Sequence, residues 1–399
     1  MREWAKAKIG EVSLGIYDGP HATPAPCETP GPYFLGIPQI SPLGFIDMAS
    51  PRYIAERDYG AWTKRVVPQY GDVVFSYEAT LNLYALIPRD FKCCLGRRMG
   101  LVRPNPKKID FQFLYYYFFS PEWRGTVREN TITGATVDRL SIAAFPNFEI
   151  ALPPLPIQRR IAAILSNYDS AIDNARRQIA LLEEAAMRLY REWFVVHADP
   201  KWEKRRLGEL IETLESGSRP RGGALKAGVP SIGAEKVDGV GIYDFSNEKY
   251  ISEDYFGKMR RGVVKDNDVL LYKDGAYAGK VSMIVDGFPH VRAAINEHVF
   301  RLRTKDDFAQ HYLYTLLRQQ DSYTYYNTVA SAKAAQPGLN QDDILDFEIS
   351  FPSVSMMERY EQEVKPLFHS IGNQANKIKR LTEARDRLLP KLMSGEVSV

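Results

Sequence analysis

Between residues 153 and 197 the apolar positions take up a helical period. Tyr168, Ile172, Ala175, Ile179, Leu182, Ala186, Leu189 and Trp193 step by 4, 3, 4, 3, 4, 3 and 4, the seam of a helix that packs along another helix. Pro153-Pro154-Leu155-Pro156 precedes it, and proline suits a first helical turn, where its missing N–H is not needed. A second seam, Leu367, Ile371, Gln374, Ile378, Leu381, Arg385, Leu388 and Leu392, runs toward the end of the chain. Its helix is expected to open at Ser355-x-x-Glu358, a capping-box pattern. Pro366 is expected to interrupt or kink it, since proline deletes a backbone hydrogen bond and clashes with the preceding turn. Pro390 argues against its last turn.

Short apolar runs bounded by Gly and Pro flank the helical stretches and read as strands, among them Val73-Val74-Phe75 and Tyr84-Ala85-Leu86-Ile87. The aromatic run from Phe111 to Phe119 places Phe113, Leu114, Tyr117 and Phe118 on one helical face. A buried helix explains it better than a platform for stacking bases. The expected organisation is α+β: residues 1–152 and 198–351 form two mixed domains, and residues 153–197 and 352–399 form two long helices.

The halves repeat. Phe148-Glu149-Ile150-Ala151-Leu152-Pro153 and Phe347-Glu348-Ile349-Ser350-Phe351-Pro352 are displaced by 347 − 148 = 199 positions. The same displacement pairs Ile172 with Ile371, Ile179 with Ile378, Leu182 with Leu381 and Arg188 with Arg387. Trp4 and Gly10-Glu11 correspond to Trp202 and Gly208-Glu209 at a displacement of 198. Internal repetition of this kind marks a pseudo-two-fold architecture. The seams are expected to run antiparallel as a coiled coil in which facing residue numbers sum to 560. Gln374 and Arg385 would then lie over Ala186 and Ala175, with their polar tips reaching water. In such a cyclic arrangement Ser394-Gly395-Glu396 returns to the N-terminus.

Charge sharpens this picture. The net charge is only +3, but from Lys64 to Lys108 nine basic residues face three acidic ones, and from Lys258 to Lys305 ten face five. Basic stretches at the same place in both repeats suit a polyanion, while a solvated charged surface explains them equally well. Cys27, Cys93 and Cys94 give no disulfide framework and no zinc-ligand spacing, so reduced thiols and a cytoplasmic location without membrane contact are expected. Over the 26 residues from Tyr168 to Trp193 a helix spans about 39 Å, close to the roughly 34–36 Å of one DNA turn. Two different readers on such a frame would read an asymmetric, split sequence.

Phe148 to Trp193 and Phe347 to Val397 resemble the two spacer regions of the specificity (S) subunit of type I restriction-modification systems. The matching pieces are Leu152-Pro153-Pro154-Leu155-Pro156-Ile157-Gln158 and Leu388-Leu389-Pro390-Lys391-Leu392-Met393-Ser394-Gly395-Glu396-Val397. Asp18-Gly19-Pro20-His21-Ala22-Thr23-Pro24 and Gly217-Ser218-Arg219-Pro220-Arg221-Gly222-Gly223-Ala224 resemble two common starts of that family's target recognition domains. The resemblance covers essentially the whole chain. It implies two target recognition domains separated by two antiparallel helices, each domain reading half of a bipartite double-stranded DNA target. It implies a non-catalytic subunit that recruits two methyltransferase (M) subunits, and restriction (R) subunits through them. No cofactor would be bound by this chain; S-adenosylmethionine, ATP and Mg would sit on the partners.

Arg and Lys on loops are the first candidates for DNA contact, since phosphate contacts position a protein and base contacts specify. In the first domain these are Lys92, Arg97, Arg98 and Arg128, with Gly19, His21 and Thr23 in the loop near a groove. In the second they are Ser218, Arg219, Arg221, Lys273, Tyr277, Lys280 and Lys333. Each is equally well explained as an exposed solubilising residue. Arg160, Arg177, Glu184 and Arg188 on the outer helix faces are candidates for partner binding. Two alternatives remain open. A self-contained DNA-cutting or DNA-modifying enzyme would need a motif such as Asn/Asp-Pro-Pro-Tyr/Phe, absent here, or an acid followed by Asp/Glu-x-Lys, which Asp72 with Asp90-Phe91-Lys92 and Asp346 with Glu363-Val364-Lys365 fit loosely. A coiled-coil scaffold without a DNA role would explain the helices but not the paired basic stretches.

Overall fold

Val73–Ser76 and Val269–Tyr272, apolar runs at matching places in the two halves, become inner strands of two sheets with the same connectivity. The computed structural model describes residues 4–25, 27–134, 136–305, 309–333 and 338–399. It divides into one unit of Met1–Ser170 with Thr382–Val399 and another of Ala171–Leu381.

In the first unit the strands are β1 (Ala5–Lys8), β2 (Ser13–Asp18), β3 (Tyr33–Leu35), β4 (Val73–Ser76), β5 (Tyr84–Leu86), β6 (Cys93–Leu95), β7 (Met99–Pro104) and β8 (Glu149–Leu152). They form an antiparallel sheet in the order β2-β7-β4-β5, a parallel pair β3-β6 and an antiparallel pair β1-β8. In the second unit they are β9 (Lys204–Arg206), β10 (Ile211–Ser216), β11 (Val229–Ile232), β12 (Tyr250–Ile251), β13 (Val269–Tyr272), β14 (Val281–Met283), β15 (Ala294–Ile295), β16 (Val299–Thr304) and β17 (Glu348–Ser350). The order β10-β16-β13-β14, the parallel β11-β15 and the antiparallel β9-β17 reproduce the first unit, and β12 is added at the edge of β11. Even the irregularities repeat: the first residues of β2 and of β10, Ser13 and Ile211, each precede a register shift against the partner strand.

One buried ion pair holds both sheets. Asp72, 2% exposed, takes Arg103 Nε at 2.9 Å and Nη2 at 2.7 Å, and accepts from the Gln69 amide. Asp268, 0% exposed, takes Arg303 Nε at 3.0 Å and accepts from the Lys265 amide. The second unit adds a layer. Where Tyr17 faces Leu101 across β2 and β7, Glu215 faces Arg301 across β10 and β16. Arg301 Nη1 reaches Asp268 at 2.9 Å and its Nε reaches Glu215 at 2.9 Å. Burial works against the Arg301 charge, and the two carboxylates outweigh it, so its pKa lies above the usual value. Arg103, Arg301 and Arg303, counted above with the surface charge, are therefore internal braces.

The aromatic run is a buried helix, Phe111–Tyr117, whose N-cap Asp110 accepts from the Gln112 and Phe113 amides. The Asp110 amide is in turn held by Gln158 of the first long helix. Gln158 is 1% exposed, and its Nε2 also donates to the carbonyls of Pro153 (2.7 Å) and Lys108 (3.3 Å). Gln158→Ala would strand an amide and two carbonyls. The expected cost is about 2–3 kcal/mol, read as a shift in urea denaturation of the full chain.

The long helices are Leu155–Arg191, continued by a wider turn over Glu192–Val196, and Val354–Met393. Pro366 and Pro390 do not interrupt the second. Val364 and Phe368, on either side of Pro366, are both buried, and their burial offsets the one lost hydrogen bond. The helix starts earlier than the Ser355-x-x-Glu358 pattern suggested. Ser353 caps it, accepting from the Met356 amide at 3.3 Å, and Ser355 lies inside the first turn.

Within each unit the helix segments run antiparallel, but not in the expected register. In the second unit Ala186 was expected to face Gln374; instead its carbonyl accepts from the Tyr360 hydroxyl at 3.1 Å. In the first unit Arg385 pairs with Asp169 at 2.6 Å, six positions (175 − 169) from the expected Ala175. The seam carries polar and aromatic contacts that helical spacing does not reveal. Tyr190, Phe194, Tyr312 and Tyr360 form one aromatic cluster. The cost falls on Gln374, whose Oε1 is shut from solvent without a hydrogen-bond partner. The helices also pack on their own domains: Tyr116 donates to Asp169 and Tyr314 to Glu183, each at 2.5 Å.

The chain ends return as expected from a cyclic repeat. Gly395 approaches the Trp4 ring so closely that a Cβ would stand 2.9 Å from it. Trp202, the counterpart of Trp4, lies against Phe194 with ring centroids 6.2 Å apart. Among the described residues no helix is long and apolar enough to cross a membrane.

Candidate nucleic-acid interface

At one end of each four-stranded sheet, three chain segments converge on a tight turn. In the first unit the turn is Gly96–Met99, closed by the Met99 amide on the Gly96 carbonyl at 3.3 Å. In the second it is Asn296–Val299, closed by the Val299 amide on the Asn296 carbonyl, also at 3.3 Å. The two turns share four backbone bonds at matching places. The Gly96 amide donates to Leu35 and the Asn296 amide to Ile232. The Tyr77 amide donates to Arg98 and the Lys273 amide to His298. The Tyr77 carbonyl accepts from Leu140 and the Lys273 carbonyl from Leu339.

Glycine is required at one place in each frame. A Cβ on Gly19 would stand 2.3 Å from the Gly96 carbonyl oxygen, and one on Gly217 would stand 1.8 Å from that of Ile295. The segments after β2 and β10 can cross the turns only because these positions lack a side chain. Gly19 is buried, so its part in the site is this close approach, and the exposed residues beyond it, His21 and Thr23, are the ones free to touch a ligand.

On this common frame the side chains differ. In the first unit Asp18 binds Arg65 and, at 3.0 Å, His21. Arg98 holds a left-handed φ of +72° and places its Nε 3.2 Å from Glu78 Oε1. That N–H is not aimed at the carboxylate and stays without a hydrogen-bond partner, as does the hydroxyl of Tyr77 beside it. Burial, then the charges of Asp18 and Glu78, raise the Tyr77 pKa, so its hydroxyl stays protonated at neutral pH. Arg97, at the apex, is exposed with no partner among the described residues.

In the second unit the equivalents of Glu78 and Arg98 are Asp274 and His298, paired at 2.8 Å. Arg219, the counterpart of His21 (219 − 21 = 198), binds Glu297 Oε1 at 2.7 Å, and His298 Nε2 lies 3.2 Å from the same oxygen. Glu297 stands at the apex position held by Arg97 in the first unit. Ser218 accepts from the Tyr255 hydroxyl at 2.8 Å. Lys273 directs its Nζ over the Phe300 ring and toward the Glu297 carbonyl at 3.5 Å.

The structure thus gathers Gly19, His21, Arg97 and Arg98 in one unit and Ser218, Arg219 and Lys273 in the other. Arg221 is exposed with no partner among the described residues. Lys280 binds Asp238 at 3.0 Å beneath the exposed ring of Tyr277, on the hairpin next to the turn. Three candidates lie outside the clusters. Lys92 pairs with Glu56 over the Tyr59 ring, Lys333 pairs with Asp343, and Arg128 lines a cleft of about 390 Å³ with Asn82, Arg124 and Asp138. Spacing from the N-terminal loop motifs finds Gly19 and Gly217. Asp274, Glu297 and His298 were missed because the search was for basic side chains; a repeat displacement of 297 − 97 = 200 would have found Glu297 and His298, and one of 274 − 78 = 196 finds Asp274.

These clusters hold side-chain donors and acceptors over a shared backbone frame. Asp72, the acid of the loosely fitting nuclease pattern, is committed to Arg103. Among the described residues no three His, Cys, Asp or Glu side chains converge as metal ligands would.

Residues 45–184 and 200–379 match the family described as type I restriction modification DNA specificity domain, and the chain belongs to that family. It is 28% identical, over 91% of its own length and 87% of the relative's, to the MjaIX type I restriction enzyme specificity subunit of Methanocaldococcus jannaschii. It is 21% identical to the MjaVIII specificity subunit of the same organism, over 71% and 70%. In fold it is similar to the crystal structure of the type I restriction-modification system S subunit from M. genitalium. The TM-score is 0.55 at 17% identity, over 98% of this chain and 96% of that one.

Proposed function

We propose that each unit reads one half of a bipartite, asymmetric double-stranded DNA target through its turn cluster. The observation that carries this is the duplication itself: one backbone frame, built twice, bearing His21, Arg97 and Arg98 in one unit and Arg219, Glu297 and His298 in the other. A frame repeated with altered tips suits two different half-sites. The chain is the recognition component of its system and not the catalyst.

Two methyltransferase subunits would dock on the exposed helix faces that carry Arg160, Arg177, Glu184 and Arg188, with restriction subunits joining through them in the cytoplasm. The chemistry would be theirs: S-adenosylmethionine on the methyltransferases, ATP and Mg with the restriction subunits. The length of the paired helices would set the unread gap between the half-sites. Co-expression with the methyltransferase, followed by mapping of methylated adenines, tests this reading; a split motif is expected. If six phosphates are engaged, affinity should fall about a thousandfold between roughly 50 and 200 mM salt. A flat salt response would favour the scaffold alternative, and cleavage of DNA by the purified chain with Mg²⁺ would favour the nuclease.

A further inference from the structure

Arg97 and Glu297 occupy the same apex of the same turn, yet they are opposite in charge and in hydrogen-bonding sense. Arg97 is exposed, and its guanidinium spends none of its five N–H donors among the described residues. Its neighbours Tyr77 and Arg98 add two more polar atoms, the hydroxyl and Nε, that are shut away without partners. Glu297 is the reverse. Its side chain is 32% exposed, and Oε1 serves both Arg219 and His298 while Oε2 accepts nothing. Among the described residues five buried side-chain polar atoms lack a partner, and three of them lie at these two turns.

We propose, on the reading that each unit reads a half-site, that residues 97 and 297 each determine one base. Arg97 donates to the major-groove edge of guanine, where O6 and N7 both accept. Glu297 accepts from an exocyclic amino group, that of cytosine or adenine. Arg219 and Lys273, the cations beside Glu297, offset its charge near phosphates. To present an oxygen outward the carboxylate turns about χ3, a soft torsion, and gives up one of the contacts that Oε1 makes with Arg219 and His298. Because the two turns are held by the same backbone bonds, the side chain at the apex can change without disturbing the turn.

The test uses the full chain co-expressed with the methyltransferase of its own system and selected against a randomised duplex library. For the parent, one half-site should demand guanine at one position and the other should demand an amino-bearing base. Arg97→Ala should relax the guanine position by about 10- to 100-fold and leave the other half-site unchanged. Glu297→Ala should relax only the amino-bearing position, Glu297→Gln should move it toward adenine, and Glu297→Arg should convert it to guanine. Melting curves at the parent's values show that the variants are folded. Arg97, exposed and partner-free, decides its half even where a Glu297 variant misfolds. Parent-like base preferences in Arg97→Ala, or in folded Glu297 variants, overturn the assignment. A parent that enriches no sequence overturns the half-site reading as well.

Discussion

Asp268→Ala is expected to destabilise the full chain by about 3–5 kcal/mol, among the largest single-residue losses this fold can show. Its carboxylate is 0% exposed and is the shared partner of Arg301 and Arg303 at 2.9 and 3.0 Å. Removing it leaves two guanidinium groups inside the sheet with Glu215 as the remaining carboxylate for Arg301. Asp72→Ala removes the same brace in the first unit but strands only Arg103, itself 21% exposed, so a smaller loss is expected there. Urea denaturation of each variant followed by tryptophan fluorescence measures the difference. Equal losses would show that the Arg301 layer adds nothing. A second contrast comes from Arg301→Leu with Glu215→Tyr, which copies the Leu101 and Tyr17 pair of the first unit and should recover much of the stability lost by Arg301→Leu alone.

Gly217→Ala should abolish recognition of one half-site while sparing the other. The added methyl would sit 1.8 Å from the Ile295 carbonyl oxygen and 2.7 Å from that of Asn296, so the backbone leading into the apex turn must move. Overpacking of this kind costs about 1–3 kcal/mol and more where backbone gives way. The displacement of Glu297 and His298 should lower sequence-specific affinity at least about a hundredfold, since a shift near 1 Å is enough to break directional contacts. Gly19→Ala should act in the same way on the other half-site, because its methyl would meet the Gly96 carbonyl oxygen at 2.3 Å. Gly257→Ala is the control. That glycine lies in the helix Glu253–Lys258 with nothing within 4 Å of the added carbon, and alanine there should stabilise by up to about 1 kcal/mol. Selection from a duplex library reads the affinity arms, and thermal melting reads the control.

What the sequence disclosed and what it hid follow from the range of the interactions involved. Helix period and repeat displacement are local or self-referential signals, and they located both long helices, the duplicated sheets and the return of Gly395 to Trp4. The buried character of Phe113 to Phe118 was legible for the same reason. The helix register was not, because it rests on long-range contacts, Asp169 with Arg385 and Tyr360 with the Ala186 carbonyl, that outweigh the placement of Gln374. Pro366 misled in the opposite direction: its local penalty is real, and burial of Val364 and Phe368 outweighs it. Charge counting merged two populations, the internally paired Arg103, Arg301 and Arg303 and the exposed Arg97 and Arg260, because pairing and burial are invisible to composition.

The main-chain lattice beneath each apex turn, Tyr77 to Arg98 and Lys273 to His298 with their flanking carbonyls, makes no use of what the apex side chains are. Position 97, exposed and without a partner among the described residues, is therefore decoupled from folding stability, whereas position 297 is tied to Arg219 and His298 through its carboxylate. If residue 97 sets a base as proposed, selection can exchange that letter of the target without passing through a misfolded chain.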